Sequence, residues 1–333
     1  MSLSPNTSNA TLLLIFGADR DDQIRSRNGH VTVSGSSDLF GLLEADHPHH
    51  RLQITRQLFR QNRRPDLSRY KHVLNLITEP EHNDRVLDNA RRLLRAIPGK
   101  VINRPEAVLR STRDQIAKRL ADIPGLLVPK VIRLKKADEA KLRDKLARAA
   151  LEFPLIMRQP GTHLGTSQAR FDDLGTMIAA MVPGTEYLVT QFVDYRSADG
   201  LYRKCRVWFI GTHTIFRHQF ASDHWNVHNK DGLMFMADRP DLLAEEEALF
   251  ASPDGAFPSD VKQVLARIRE RIDLDYFGID FGFMPDGRVI LFEANATMNF
   301  FSLLPSDEFA YVRACVPPAR AAFRELLGLS PSP

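Results

Sequence analysis

Apolar residues follow two rhythms along this chain. Leu12-Leu13-Leu14-Ile15-Phe16 is an unbroken apolar run closed by Gly17, which predicts a strand buried on both faces, as in a parallel sheet. His72-Val73-Leu74-Asn75-Leu76-Ile77 repeats the pattern. Val86, Leu87, Ala90, Leu93, Leu94 and Ile97 then recur at helical spacing until Pro98-Gly99 ends the helix, and Val101-Ile102-Asn103 resumes as a short strand. Strand, helix and strand in this order predict a small α/β domain with a parallel sheet. No GxGxxG follows the first strand, so a dinucleotide fingerprint is absent.

Two helices are expected next, one over about 104–120 and one over about 137–151 that opens at Asp138 as its cap; Pro124-Gly125 and Pro129 separate them. From 151 the texture turns to strands, at 153–158, 187–193, 205–210 and 214–220. Residues 238–260 read as a polar loop with a short helix. Val261, Val264, Leu265, Ile268 and Ile272 mark an amphipathic helix. A hairpin over 276–295 and a last helix over about 307–327 complete the chain between a loose start, 1–10, and a frayed end.

The hairpin carries the sharpest chemistry. Taking Asp286-Gly287 as a two-residue turn pairs Pro285 with Arg288, Phe283 with Ile290, Phe281 with Phe292 and Ile279 with Ala294, a wholly apolar face. On the other face Asp280 lies opposite Glu293, and Asn295 follows two residues along. Opposed side chains have Cβ atoms ~4.5–5.5 Å apart, where like charges repel. A cation between them is therefore expected. Two carboxylates and an amide oxygen are hard ligands suited to Mg²⁺, with water and phosphate completing the shell. Gly278 and Gly282 leave room on that face. A solvated hairpin with acids there by chance is the bland alternative, and the apolar face argues against it.

A second hairpin repeats the logic with opposite sign. A turn at Gly211-Thr212 pairs Ile210 with His213, Phe209 with Thr214 and Arg206 with Arg217, and Lys204 shares their face. Two opposed guanidinium groups imply an anion between them. Two arginines reaching solvent separately is the competing reading. Arg158 closes the 153–158 strand, and Gly161 and Gly165 follow in a loop whose backbone N–H groups suit phosphate; taken alone, that segment is better read as a plain glycine-rich turn.

Composition narrows the picture. The 333 residues hold 45 Lys plus Arg against 41 Asp plus Glu, a formal net charge of +4, spread along helix faces rather than gathered in a nucleic-acid-binding stripe. Cys205 and Cys315 are too few for a disulfide framework or a cysteine zinc site. No basic leader region opens the chain and no apolar run approaches ~18 residues, so a cytoplasmic location without membrane contact is expected. His47, His49 and His50 around Pro48 read as a surface loop, and His224 and His228 flank Trp225 as candidates to line a cleft.

In order, these pieces resemble the ATP-grasp superfamily, in its glutathione-synthetase-like carboxylate–amine ligase branch, over about residues 70–300. Phe292-Glu-Ala-Asn-Ala-Thr-Met298 is most similar to bacterial ATP-grasp proteins whose relatives are sometimes joined to tetratricopeptide repeats; Val101–Val108, Thr112-Arg-Asp114 and Asp223–His228 resemble the same group. The resemblance implies an α/β (α+β) fold of three parts: an N-terminal α/β domain over 1–105, a central subdomain over 106–195 and a C-terminal subdomain over 196–333. ATP lies between the last two. By position, Asp280, Glu293 and Asn295 match Mg²⁺ ligands. Arg158 matches the basic residue on the phosphates, and Gly161, Thr162, Gly165, Thr166 and Ser167 match the loop over them. Gln191, Phe192 and Val193 match the adenine hinge, Asp194 the ribose contact, Lys204 a further nucleotide contact, and Arg206 and Arg217 the acyl-phosphate side.

The sequence departs from the family at Arg158, where lysine is usual, at Gln115, where a basic residue is expected and Arg113 or Lys118 is the substitute, and at Asn295-Ala-Thr-Met-Asn299, which replaces an Asn-Pro-Gly ending. The implied activity joins a small-molecule or peptide carboxylate to an amine through an acyl phosphate, with ATP and Mg²⁺. A small-molecule kinase and a non-catalytic nucleotide-binding module are the alternatives, and a homodimer is left open.

Overall fold

A computed structural model of the chain describes residues 10–27, 30–33, 36–44, 47–55, 58, 65–95, 97–162, 168–301 and 307–330. Its strands are β1 Leu12–Phe16, β2 Ile24–Arg27, β3 His30–Val33, β4 His49–Gln53, β5 His72–Asn75, β6 Lys100–Ile102, β7 Leu126–Leu127, β8 Val131–Lys135, β9 Leu155–Arg158, β10 Ala169–Phe171, β11 Glu186–Gln191, β12 Tyr202–Ile210, β13 His213–Ser222, β14 Tyr276–Phe283 and β15 Val289–Asn295. A short β2–β3 ribbon stands apart from three larger sheets.

The first sheet has the order β4-β1-β5-β6 with every neighbour parallel. Both faces of β1 are covered, which is why its sequence does not alternate. Leu13 and Ile15 pack with the helix Asp84–Leu94, while Leu12, Leu14 and Phe16 join the core shared with the third sheet. Of the three histidines expected in a surface loop, His49 and His50 begin β4 instead, and His47 precedes it. His50 is buried, and the Arg69 guanidinium lies 3.0 Å from its Nδ1. An edge strand this polar carries little apolar alternation to announce it.

Asn103 fixes the first sheet to the third. It holds φ at +53°, a region asparagine tolerates. Its Oδ1 accepts from the N–H groups of Asp275 (2.8 Å) and Tyr276 (3.1 Å), and its Nδ2 donates to the Tyr276 carbonyl (2.8 Å).

The second sheet, β10-β9-β11-β8, is antiparallel and backed by the helices Glu139–Arg148 and Leu174–Ala180. Asp138 caps the first of these, its carboxylate accepting the Lys141 N–H at 2.9 Å, as expected of it. The third sheet, β13-β12-β14-β15-β7, is antiparallel apart from β7, which runs parallel to β15. The helix Ser259–Arg271 buries Val261, Val264, Leu265 and Ile268 in the same core as Trp208, Phe277 and Phe281.

Three helical expectations change. The stretch at 104–120 is two helices, Pro105–Leu109 and Arg113–Leu120. The short helix expected within 238–260 is Pro240–Leu249, and a helix that was not expected, Asn229–Ala237, precedes it. The last helix is a 3₁₀ segment, Asp307–Cys315, followed by Val316–Leu326. Pro317 and Pro318 sit in its first turn, where a missing N–H costs nothing. Among the described residues no helix is long and apolar enough to cross a membrane.

Candidate active site

A cleft of about 280 Å³ lies between the second and third sheets. Its floor starts from the β14–β15 hairpin. Met284 N–H donates to the Arg288 carbonyl (2.8 Å), Gly287 N–H to the Met284 carbonyl (2.9 Å), and Gly287 holds φ at +86°. The loop therefore has three residues, 285–287, not two. Phe283 pairs with Val289 and Phe281 with Leu291, rather than with Ile290 and Phe292. A bulge between Asp280 and Phe281 then takes up Phe292 and restores Ile279 opposite Ala294 and Asp280 opposite Glu293. Two departures from the expected register cancel at the acidic pair. Phe292, left out of the ladder, packs on Tyr195 with ring centroids 4.7 Å apart and lines the cleft.

The repulsion expected between the two acids is answered by arginines. Arg206 on β12 grips Asp280 with both oxygens, Nε to Oδ1 at 2.6 Å and Nη2 to Oδ2 at 2.9 Å, and Lys204 Nζ stands 3.4 Å from Oδ2. Burial pushes the Asp280 carboxyl up, but Arg206 and Lys204 outweigh it and hold the group far below the usual carboxylate range. Glu293 accepts from Arg113 Nη2 (2.8 Å) and Asn295 Nδ2 (2.8 Å). The oxygen of Asn295 is occupied, because Oδ1 accepts the N–H groups of Thr297 (2.9 Å) and Met298 (2.8 Å). In this geometry Asn295 steers Glu293 and does not offer an oxygen. Asp280 and Glu293 still fit Mg²⁺, which is commonly held by one or two carboxylates with phosphates and water completing its shell.

The second hairpin turns at Gly211-Thr212 as expected, with Gly211 at φ +58° and Ile210 and Phe209 opposite His213 and Thr214. A bulge between Arg206 and Val207 then moves the register, so Arg206 faces His218, not Arg217. Nothing in the turn residues announces such an extra residue. Arg217 is buried away from the cleft lining: its Nε donates to the Phe300 carbonyl at 2.7 Å and its guanidinium sits 5.9 Å from the Phe300 ring. His218 takes the cleft position. It is 6% exposed and stacked on Phe220 at 4.1 Å. Its Nε2 meets no hydrogen-bond partner among the described residues. Burial, with Arg206 and Arg217 adding to it, holds its pKa well below the usual value.

The roof comes from the second sheet. Arg158, 8% exposed, donates to the Thr162 carbonyl; burial and then Arg113 pull its pKa down to about 10. Gly161 holds φ at +67°, and a side chain there would run into His82. Gly165, Thr166 and Ser167 fall outside the described residues. Gln191, Phe192 and Val193 line the cleft. The Gln191 amide bonds both the N–H and the carbonyl of Glu152, at 3.0 and 2.8 Å. Phe192 meets Trp225 edge-on at 5.8 Å, with the Arg170 guanidinium 4.5 Å from its ring.

Asp194 is not among the residues lining the cleft, and its carboxylate forms a pair with Arg196, 3.0 Å from Nε. Of the two candidate histidines His228 lines the cleft and His224 is exposed. The sequence reading missed His218, Tyr195 and Phe292. Of the two substitutes left open, Arg113 lines the cleft and reaches Glu293 and the Phe292 carbonyl, whereas Lys118, like Gln115, is exposed. Cys205 is buried, its thiol 3.1 Å from Gln219 Oε1, and takes no part.

In sequence, no protein-family model and no curated protein matches the chain. In structure, it is similar to the D-Ala:D-Ser ligase VanG from Enterococcus faecalis at TM-score 0.57 and 15% identity, covering 97% of this chain and 99% of that one. It is similar to a RimK domain ATP-grasp protein from Sphaerobacter thermophilus at TM-score 0.50 and 16% identity, covering 92% and 97%. It is also similar to N5-carboxyaminoimidazole synthetase from Staphylococcus aureus, solved with ADP, at TM-score 0.50 and 11% identity, covering 93% and 78%. Two sheets clasping a charged cleft therefore define the class. The chain has the ATP-grasp fold.

Proposed function

We propose that this chain is an ATP-dependent carboxylate–amine ligase working through an acyl phosphate. The observation that carries the reading is the charge pattern of one cleft: Arg113, Arg158, Lys204 and Arg206 surround Asp280 and Glu293 beside an aromatic mouth of Phe192, Tyr195 and Trp225. Four cations against two acids suit a polyphosphate, and the aromatic rings suit a nucleobase. Similar structures solved with ATP or ADP support a nucleotide there. The non-catalytic reading loses its motive, because Arg113 supplies the charge that Gln115 lacks.

In this reading Arg158 and Arg113 hold the transferred phosphoryl group, and Phe192 and Val193 meet the adenine. Mg²⁺ held by Asp280 and Glu293 would neutralise charge on the phosphates. Arg206 stabilises the acyl phosphate and the oxyanion formed when the amine attacks. Arg217 acts from behind by holding the Phe300 carbonyl. We place the boundaries of the three parts at 105/106 and 195/196, with the helix Arg113–Leu120 and β7 of the middle part leaning on the third sheet. The test is ADP release from Mg·ATP against a panel of carboxylates, with and without amines. Amine-dependent release supports the ligase, and a phosphorylated alcohol formed without amine overturns it in favour of a kinase.

A further inference from the structure

We propose that Arg206, His218 and Thr297 form the subsite for the substrate carboxylate, with His218 Nε2 and Thr297 Oγ1 as donors to it; this rests on the ligase reading. Residues 296–300 leave β15 and cross the cleft face of the third sheet. Asn295 starts the turn by accepting from Thr297 and Met298. Met298 covers Gly278 and Trp208, and a Cβ on Gly278 would come within 2.8 Å of the Met298 sulfur. The Phe300 carbonyl receives Arg217 of β13, and the N–H groups of Phe300 and Phe301 donate to Asp38 at 2.7 and 2.9 Å. His218 stands opposite Arg206 in the β12–β13 ladder, Thr297 lies in the segment that crosses this face, and all three line the cleft.

Two groups in this corner lack hydrogen bonds they need. His218 Nε2 and Thr297 Oγ1 are both buried with no partner among the described residues, on side chains 6% and 8% exposed. A buried polar atom left unpaired costs ~1–3 kcal/mol, so a ligand that pairs both gains by it. Both can donate, His218 in the tautomer with its proton on Nε2. The charges nearby decide what arrives. Lys204 and Arg206 line the same cleft around Asp280, and Arg217 lies behind it; three cations against this one carboxylate, with Glu293 paired to Arg113, favour an anion over an ammonium. A carboxylate bound there also sits beside Asp280 and Glu293, where the phosphoryl donor is to be held.

The test uses acetate as a bare carboxylate, titrated into protein labelled with ¹⁵N-histidine, once nucleotide-free and once loaded with Mg·ADP. The expected result is a saturable shift of the His218 Nε2 resonance. Thr297→Val, which keeps the shape and removes the hydroxyl, should weaken acetate about tenfold and leave Mg·ADP affinity unchanged. His218→Gln should retain part of the affinity, since its amide also donates. No saturable shift in either state, or a shift driven by methylammonium instead, overturns the subsite. Failure of Mg·ADP to bind while acetate still shifts His218 removes the ligase reading and leaves the anion subsite standing.

Discussion

Replacing Asp280 with asparagine separates two accounts of the acidic pair. If two carboxylates faced each other unrelieved, removing one would leave the metal-free protein as stable or more stable. The structure says the reverse. Asp280 is 4% exposed and holds Arg206 through two hydrogen bonds of 2.6 and 2.9 Å, with Lys204 at 3.4 Å. Breaking a buried pair by removing one partner typically costs ~3–5 kcal/mol, because the remaining charge stays buried and uncompensated. Urea unfolding at pH 7 with chelator and no nucleotide should show Asp280→Asn lowering stability by about that amount. Arg206→Met should cost much less in the Asp280→Asn background than alone, since it removes the orphaned charge. The pH dependence has a fixed sign. The folded carboxyl is depressed, so its contribution is present above the unfolded pKa, near 4, and is lost as pH falls below that toward the folded value. An Asp280→Asn protein as stable as the parent at pH 7 would refute the pairing.

Other consequences are independent of the metal. Glu246, fully buried, accepts from Tyr311 (2.7 Å) and from the Gln219 N–H (2.9 Å), and burial pushes its pKa up to about 7. A raised acid stabilises below its unfolded pKa and loses that contribution as pH rises through 7; against a starting value of 4.5 this is about 3 kcal/mol. Glu246→Gln should therefore match the parent near pH 4.5 and exceed it by up to that amount at pH 8 in urea unfolding; a pH-independent difference would count against it. Arg133 on β8 binds Glu81 (2.6 Å), Asp114 (2.6 Å) and Glu186 (3.1 Å), drawing the second sheet to the first domain and to the helix Arg113–Leu120. Arg133→Met should lose about 2 kcal/mol at pH 7, less than a fully buried pair because the cluster is partly exposed, and recover part of it near pH 4 as the acids protonate. A constant deficit from pH 7 to pH 4 in the same unfolding assay would contradict this.

Much of the fold was legible because its strongest signals are local. The apolar run of β1, the Asp286-Gly287 turn and the Asp138 cap each act through a few adjacent residues. The acidic pair was found although the loop length was misjudged, since the bulge at Asp280 cancels the extra loop residue. The arginine pair failed because its bulge has no compensating partner. A bulge depends on how a strand bends over its neighbours, and no residue type within Phe216-Arg217-His218 demands one. Countercharge was equally hidden: Arg113 lies 180 positions before Glu293, and only the packing of its helix on β15 joins them. Asp194 was assigned by its place after the hinge, and nothing in that place announces its pairing with Arg196, two residues on.

The central claim is that this cleft holds a nucleotide through Mg²⁺ at Asp280 and Glu293. Calorimetric titration with AMPPNP, in Mg²⁺ and again in EDTA, measures it without knowledge of either substrate. The account predicts one-to-one binding in Mg²⁺ that weakens about tenfold or more in EDTA, with Glu293→Ala showing the weaker affinity in both buffers. Equal affinity of the parent protein with and without Mg²⁺, or no binding at all, would contradict it.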